Sequence, residues 1–280
     1  RKEVNVMTDE RLYTLLTGIL DSIKEDEYPE ITDIVSCYID DEGNVFGDAF
    51  YIACELHEAD NTKAFPSIVA DFLREVYLEE IENKNADAAC NLGSLYYTGR
   101  IGQRDFEQAV KYYTIAADGG CRAAQENLGY CYYYGRTGEK DYQKAFHYFA
   151  LGAFDGHLNS LYKIGDMYRN GYYVAKNETE AFYIYRRCFE TLTDDAIPLV
   201  GADIMMRMGD CYFEGIGTEV DYGKALSFYQ KSEEMYYDRL MRGDYLIQRC
   251  YNKVIERQSE SRKALQNQLP DFDWATQTAE

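Results

Sequence analysis

The sequence predicts an all-α fold: a right-handed α/α superhelix, a solenoid of stacked helix-turn-helix repeats with helical caps at both ends. Three observations predict it. Gly93, Gly129, Gly165 and Gly209 recur at intervals of 36, 36 and 44 residues, and six residues after each stands a second glycine, Gly99, Gly135, Gly171 and Gly215. Other columns keep the same register: tyrosine at +3 from the first glycine (Tyr96, Tyr132, Tyr168, Tyr212), alanine at +16 (Ala109, Ala145, Ala181, Ala225) and an aromatic residue at +20 (Tyr113, Phe149, Tyr185, Tyr229). Between these columns apolar residues fall at helical spacing. Only 21 of 280 residues are glycine, so eight in two shared columns mark an internal repeat. Units of this length stack because none can bury its apolar face alone.

Along the chain, residues 8–24 read as an amphipathic helix, with Thr8 or Asp9 as its cap and Leu12, Leu15, Leu16, Ile19, Leu20 and Ile23 on one side. The stretch IVSCYIDDEGNVFGDAFYI is expected to be helical, with a hairpin about Glu42-Gly43-Asn44 as the alternative. Residues 66–82 read as another helix, built on Ile68, Val69, Phe72, Leu73, Val76 and Ile81. Thirty-six residues before the first unit, Leu56 and Tyr77 fall on core columns while the glycines and the central alanine are missing. Residues 45–85 are therefore expected to be a degenerate capping unit within an N-terminal helical region, 1–85. It is followed by four units, 86–120, 121–156, 157–200 and 201–233.

Each repeat column has a physical role. The first helix of a unit, helix A, holds a glycine where glycine costs about 1 kcal/mol relative to alanine. The compensating gain is expected to be close approach of helix B, with Ala109 as the small counterpart of Gly93. Gly99 lies past the end of helix A, where a left-handed residue closes the helix. Asp105, Asp141, Asn177 and Asp221 are N-caps for helix B, and Asp105 with Gln108 and Asn177 with Glu180 have capping-box spacing. Helix B ends at Asp118-Gly119-Gly120 and Asp155-Gly156 in the first two units, and the fourth unit carries an insertion at 191–200 containing Pro198. Residues 234–280 are expected to be a C-terminal cap, a helix over 244–266 and a tail after Pro270 in which Trp274 is able to dock.

The stretches AACNLGSLYYTG, AAQENLGYCYYYG, SLYKIGDMYRNG and IMMRMGDCYFEG, with DFEQAVKYYTIAADGG, DYQKAFHYFALGAFDG, NETEAFYIYRRCF and DYGKALSFYQKS, resemble the Sel-one-like repeat family, relatives of the tetratricopeptide repeat. The resemblance covers residues 86 to about 233 and implies a scaffold or adaptor for protein complexes. Some members staple their repeats with cysteines eight residues apart; no two of the eight cysteines here have that separation, so buried free thiols are expected.

Composition narrows the function classes. Lys plus Arg number 29 against 49 Asp plus Glu, a net charge of −20 that argues against nucleic acid and anionic membranes as partners. Residues 1–85 alone carry 7 basic and 21 acidic side chains. No apolar run is long enough to span a bilayer. There is no CxxC pair and the three histidines are scattered, so no metal is expected. No cofactor is expected either: there is no GxxxxGK[ST], GxSxG or HExxH. His147 and His157 read as surface or packing residues, and no catalytic residue is expected. A cytoplasmic location is expected, although the chain does not begin with Met and a removed upstream segment is an open alternative.

What remains is surface shape. By resemblance to tetratricopeptide grooves, helix A lines the concave face with positions −6, −3, +1, +4 and +5 open. These positions offer Tyr97, Tyr130, Tyr133, Tyr134, Tyr162 and Phe213 as rigid apolar faces, and Asn159, Arg169 and Asn170 as holders of peptide backbone or a carboxylate. Tyrosine and arginine dominate interface energetics. Asp87, Glu126, Asp166, Asp203, Asp210 and Glu214 share these positions and point to a peptide with basic side chains. The expected function is a non-catalytic scaffold, monomer or weak dimer, gripping a peptide or protein segment in this groove. The alternatives are an acidic inhibitor or immunity-type protein docking a basic partner through residues 1–85, and a hydrolase or transferase in the same region, which lacks a recognisable nucleophile–base pair.

Overall fold

The computed structural model describes residues 7–59, 63–244 and 247–268; the tail with Trp274 lies outside them. They form thirteen α-helices, and the chain divides into two compact units, 1–148 and 149–280.

The first unit begins with α1 (Asp9–Ser22), whose N-cap Thr8 accepts from Arg11 N at 3.3 Å and which buries Leu12, Leu16 and Ile19. Helix α2 (Pro29–Ser36) starts on Pro29. Both alternatives for the next stretch are realised in part. An antiparallel bridge joins Ile39 to Val45 around a turn in which Asp40 accepts from Glu42 N and Asn44 N, and α3 (Ala49–Glu58) follows, capped by Asp48. The hairpin stays this small because α2 and α3 take up the flanking apolar residues. Helix α4 (Ser67–Glu82) follows, and Leu56 and Tyr77 are fully buried. Helices α1 to α4 share one core with α5 (Ala86–Thr98), which contributes Ala88, Leu92 and Leu95. Then come α6 (Phe106–Asp118), α7 (Arg122–Tyr134) and α8 (Tyr142–Phe154).

In the second unit α9 (Leu158–Asn170) pairs with α10 (Glu178–Glu190). The insertion becomes a π-helical turn, Ile197–Gly201, holding Pro198, and runs into α11 (Ala202–Glu214). Helix α12 (Tyr222–Met241) packs on α11 and on α13 (Gln248–Gln268), which buries Val254, Gln258 and Ser261.

The loop columns act as expected. Gly99, Gly135, Gly171 and Gly215 have φ between +63° and +78°. This left-handed turn lets the next amide bond back to the helix, Arg100 N to Leu95 O at 3.1 Å and Arg136 N to Cys131 O at 2.9 Å. Asp105, Asp141, Asn177 and Asp221 each accept the backbone N–H three residues on at 2.9–3.0 Å. Their own amides bond to Tyr96, Tyr132, Tyr168 and Tyr212 carbonyls at 2.8–3.1 Å, fixing the loop.

Helix B does approach the helix-A glycine closely, and the nearest atoms are those of an aromatic ring. A Cβ on Gly93 would meet the ring of Tyr113 at 2.7 Å; on Gly165 and Gly209 it would meet Tyr185 and Tyr229 at 2.6 Å. The +20 aromatic ring, one helical turn beyond the small +16 residue, leans across and fills the space.

Candidate functional site

In the second unit the helix-A positions expected to be open carry charges that answer one another. Asp166, at +1 of the third repeat, lies under Arg207 of α11, whose Nε and Nη2 donate to its two oxygens at 2.7 Å each. Tyr185 donates its hydroxyl to Asp166 at 2.8 Å and Lys163 lies at 3.3 Å. Burial pushes the Asp166 carboxyl up, but Arg207 above all, then Lys163 and Tyr185, hold it well below the usual carboxylate range. Beneath the guanidinium is the ring of Tyr162, 4.1 Å from its carbon.

One repeat on, Asp210 accepts from Tyr229 at 2.8 Å, Arg169 at 3.1 Å and Lys253 of α13 at 2.9 Å. Glu214 pairs with Arg169 at 2.8 Å and Arg257 at 2.5 Å, and Arg257 also lies over Phe213. The terminal helix α13 thus supplies two cations to carboxylates that the sequence left open.

The first unit is built differently at the same columns. Position +1 holds Ser94 and Tyr130 instead of aspartate, and aromatic rings replace the ion pairs. Tyr130 stacks on Tyr134 at 6.2 Å; Tyr133 meets Tyr134 edge-on at 5.0 Å and Tyr142 at 5.7 Å. Tyr97 meets Phe106 at 5.2 Å. Across these rings reaches Arg136, from the loop after α7. It donates from Nε to the Tyr97 hydroxyl at 3.1 Å and its guanidinium lies 5.2–5.6 Å from the rings of Tyr97, Phe106 and Tyr134. Arg136 and Tyr134 are exposed; Tyr97, Tyr130 and Tyr133 are half-buried.

A family model for the Sel1 repeat matches residues 86–121, 122–157, 158–187 and 202–237. The chain is a Sel1 repeat protein. Among solved structures it is similar to a Sel1 repeat protein from Oxalobacter formigenes, at 26% identity and a TM-score of 0.52 over 60% of this chain and 62% of that one. It also resembles in fold c5321, a protective antigen of uropathogenic Escherichia coli with an SLR fold, at 19% identity and a TM-score of 0.52 over 90% of this chain and 56% of that one. The chain spans less than two thirds of the length of either protein. No curated protein matches it. Sel1 repeat proteins are generally protein-interaction scaffolds. No helix among the described residues is long and apolar enough to cross a membrane.

Set against this Sel1 framework, the nine positions expected to face a ligand separate into two groups. Tyr97, Tyr130, Tyr133 and Tyr134 come together in the first unit. In the second, Tyr162 and Asp166 are buried with Arg207 and Lys163 packed on them, Asp210 is buried among Arg169, Tyr229 and Lys253, and Met206 is buried in the apolar core. Arg169 is engaged with two carboxylates, and Asn170 donates to the Asp166 carbonyl at 2.7 Å. Asn159 and Phe213 are half-buried, the latter against Tyr222 and Tyr229. Arg136 was missed: it stands in the loop at +7, outside a groove drawn from helix A alone. A basic residue next to a helix-closing glycine and two residues after the tyrosine triplet 132–134 was the signal available.

Proposed function

We propose that this Sel1 repeat protein is a non-catalytic scaffold that binds a peptide or protein segment on the aromatic patch of its first unit. The observation that carries the proposal is the clustering of Tyr97, Tyr130, Tyr133 and Tyr134 about an exposed arginine. Such a surface combines large, stiff apolar area with hydroxyl and guanidinium donors, the composition of binding hot spots. In the second unit Arg169 and Tyr162 serve by holding the ion-pair network, and Asn159, Asn170 and Phe213 flank it.

Photo-crosslinking tests the proposal. A benzophenone side chain at position 134 should trap a partner that the same group at position 237, on exposed Tyr237 of α12, does not. Tyr97→Ala with Tyr134→Ala should abolish the capture while the helical circular dichroism is kept. Equal trapping at both positions, or capture unchanged in the double variant, refutes it.

A second reading has its own observation. A cavity of about 320 Å³ in the cap is lined by Asp9, Asp48, Glu79 and Glu80 around Leu12, Phe50 and Val76, which suits a basic partner docking through residues 1–85. Trapping at position 9 instead of 134 would favour it.

A further inference from the structure

The sequence pointed to a basic ligand because acids share the helix-A positions. The structure removes that reason in the second unit. Asp166, Asp210 and Glu214 each already hold at least two cationic or hydroxyl donors of the chain itself. The first unit presents the reverse. Arg104, Arg136 and Lys140 are exposed, and among the described residues no carboxylate comes within ion-pairing distance of any of them. Of the acids next to them in sequence, Asp105 and Asp141 are engaged as helix caps, and Glu139 is exposed beside Lys140 without pairing to any of the three cations.

These three cations form one surface. Arg104 and Arg136 lie over the same ring, Phe106, at 5.8 and 5.4 Å. Lys140 lies 6.0 Å over Tyr142, which meets Tyr133, which in turn meets the Tyr134 ring beneath Arg136. Rings held under cations this way keep the charges in place without neutralising them.

An internal comparison shows what an arginine at this loop position does. Arg100 is its counterpart in the first repeat, one residue past the same left-handed glycine. Arg100 sits 4.0 Å over Phe65, and its two terminal nitrogens donate to the carbonyls of His57 and Ala59. Helix α3 ends early, at Glu58, and so leaves those oxygens available. Helix α5 runs on to Thr98; Arg136 is turned out onto rings, and its terminal nitrogens have no acceptor among the described residues. An aromatic seat with a pair of oxygens above it is the arrangement Arg100 completes and Arg136 leaves half built.

We propose that this patch receives an acidic peptide segment, its Asp or Glu carboxylates going to Arg136, Arg104 and Lys140 and its aromatic or aliphatic side chains to the tyrosines. The proposal rests on the scaffold reading above and names the partner's chemistry. A net charge of −20 disfavours a polyanion as extended as nucleic acid, whereas a short acidic segment meets only the local field.

Fluorescence anisotropy with labelled peptides tests it on the full chain. The probes are a C-terminally amidated peptide alternating Glu with Phe and Leu, the same peptide with Gln, the same with Lys, the Gln peptide with a free C-terminus, and a single-stranded oligothymidylate. The Glu peptide should bind about tenfold or more tighter than the Gln peptide and weaken with salt. The triple variant Arg104→Gln, Arg136→Gln, Lys140→Gln should lose that advantage while still holding the Gln peptide and keeping its helical signal. A free C-terminus that restores binding to the Gln peptide would place the required carboxylate at a chain end. Equal or tighter binding of the Lys peptide, tighter binding of oligothymidylate, or a Glu advantage that survives the triple variant overturns the inference while leaving the scaffold reading intact. If no peptide binds at all, the scaffold reading at this patch falls too.

Discussion

Replacing Gly165 by alanine tests how the repeats are held together. A Cβ there would lie 2.6 Å from Cε1 and 3.0 Å from Cδ1 of Tyr185, and 3.2 Å from Cγ2 of Ile184. Carbon atoms rest at about 3.5–4.0 Å, so the ring must retreat by close to an ångström. It has nowhere to go: Tyr185 is fully buried and its hydroxyl is tied to Asp166 at 2.8 Å. Overpacking costs about 1–3 kcal/mol, and losing a hydrogen bond to a charged group costs about 1.5–3 kcal/mol. Alanine returns about 1 kcal/mol of helix propensity. The net expectation is a destabilisation of about 1.5–5 kcal/mol, read by urea unfolding followed by circular dichroism. Gly18→Ala is the control. Its Cβ would meet only Ile68 at an ordinary 3.7 Å, so stability should hold or rise by up to about 1 kcal/mol. Removing the ring with Tyr185→Leu should make Gly165→Ala neutral or favourable. If Gly165→Ala is as stable as the parent, or costs as much with the ring gone, the glycine column is not a seat for the aromatic.

Other outcomes follow from the same geometry. Arg207→Ala leaves buried Asp166 with Lys163 and Tyr185 alone and should cost about 3 kcal/mol in urea unfolding, whereas Asp166→Leu with Arg207→Met should cost clearly less; equal costs would refute the pairing. Lys253→Ala with Arg257→Ala removes the two links from α13 to Asp210 and Glu214, so hydrogen exchange across 248–268 should quicken while α1 is unaffected; unchanged exchange would show that packing alone docks the helix. Burial, and then nearby Arg100, push the His57 pKa down from 6.5 to about 4. The unfolded chain therefore binds the extra proton between those values, and stability contributed by neutral His57 is complete above pH 6.5 and lost as pH falls toward 4. The slope approaches about 1.4 kcal/mol per pH unit; His57→Gln should flatten the stability profile in that window, and an unchanged slope would count against it.

The fold was readable because its determinants are local. A left-handed glycine, an aspartate cap and the carbonyl it ties back to lie within a dozen residues of one another, so each repeat announces its own loop. That the ring of Tyr113 is what a side chain at Gly93 would meet first marks the limit of that locality. Column counting shows that two positions are small but not which side chain leans into the space, since a ring at +20 and a methyl at +16 lie on one helix face a turn apart. The bridge at Ile39 and Val45 was equally hard to weigh, because a turn of Asp, Gly and Asn suits a hairpin while the apolar residues on either side suit helices.

The candidate site was half readable, for a reason that lies in which pairs decide it. The aromatic set of the first unit could be read position by position, because Tyr130, Tyr133 and Tyr134 meet one another on a single helix. The second unit could not, because Asp166 meets Arg207 forty-one residues later and Asp210 meets Lys253 forty-three later, and each position taken alone looks like an acid turned toward a ligand. The partners make sense only as a ladder: aspartate at +1, tyrosine at +20 in the same repeat, and a cation from the next helix but one, Arg207 of α11 for Asp166 and Lys253 of α13 for Asp210. Where +1 is Ser94 or Tyr130 the ladder has no rung to close, and the chain puts aromatic rings and Arg136 there instead. The difference between the two units therefore traces to one column: an acid at +1 engages the neighbouring cations internally, and where that acid is absent Arg136 stays exposed over aromatic rings.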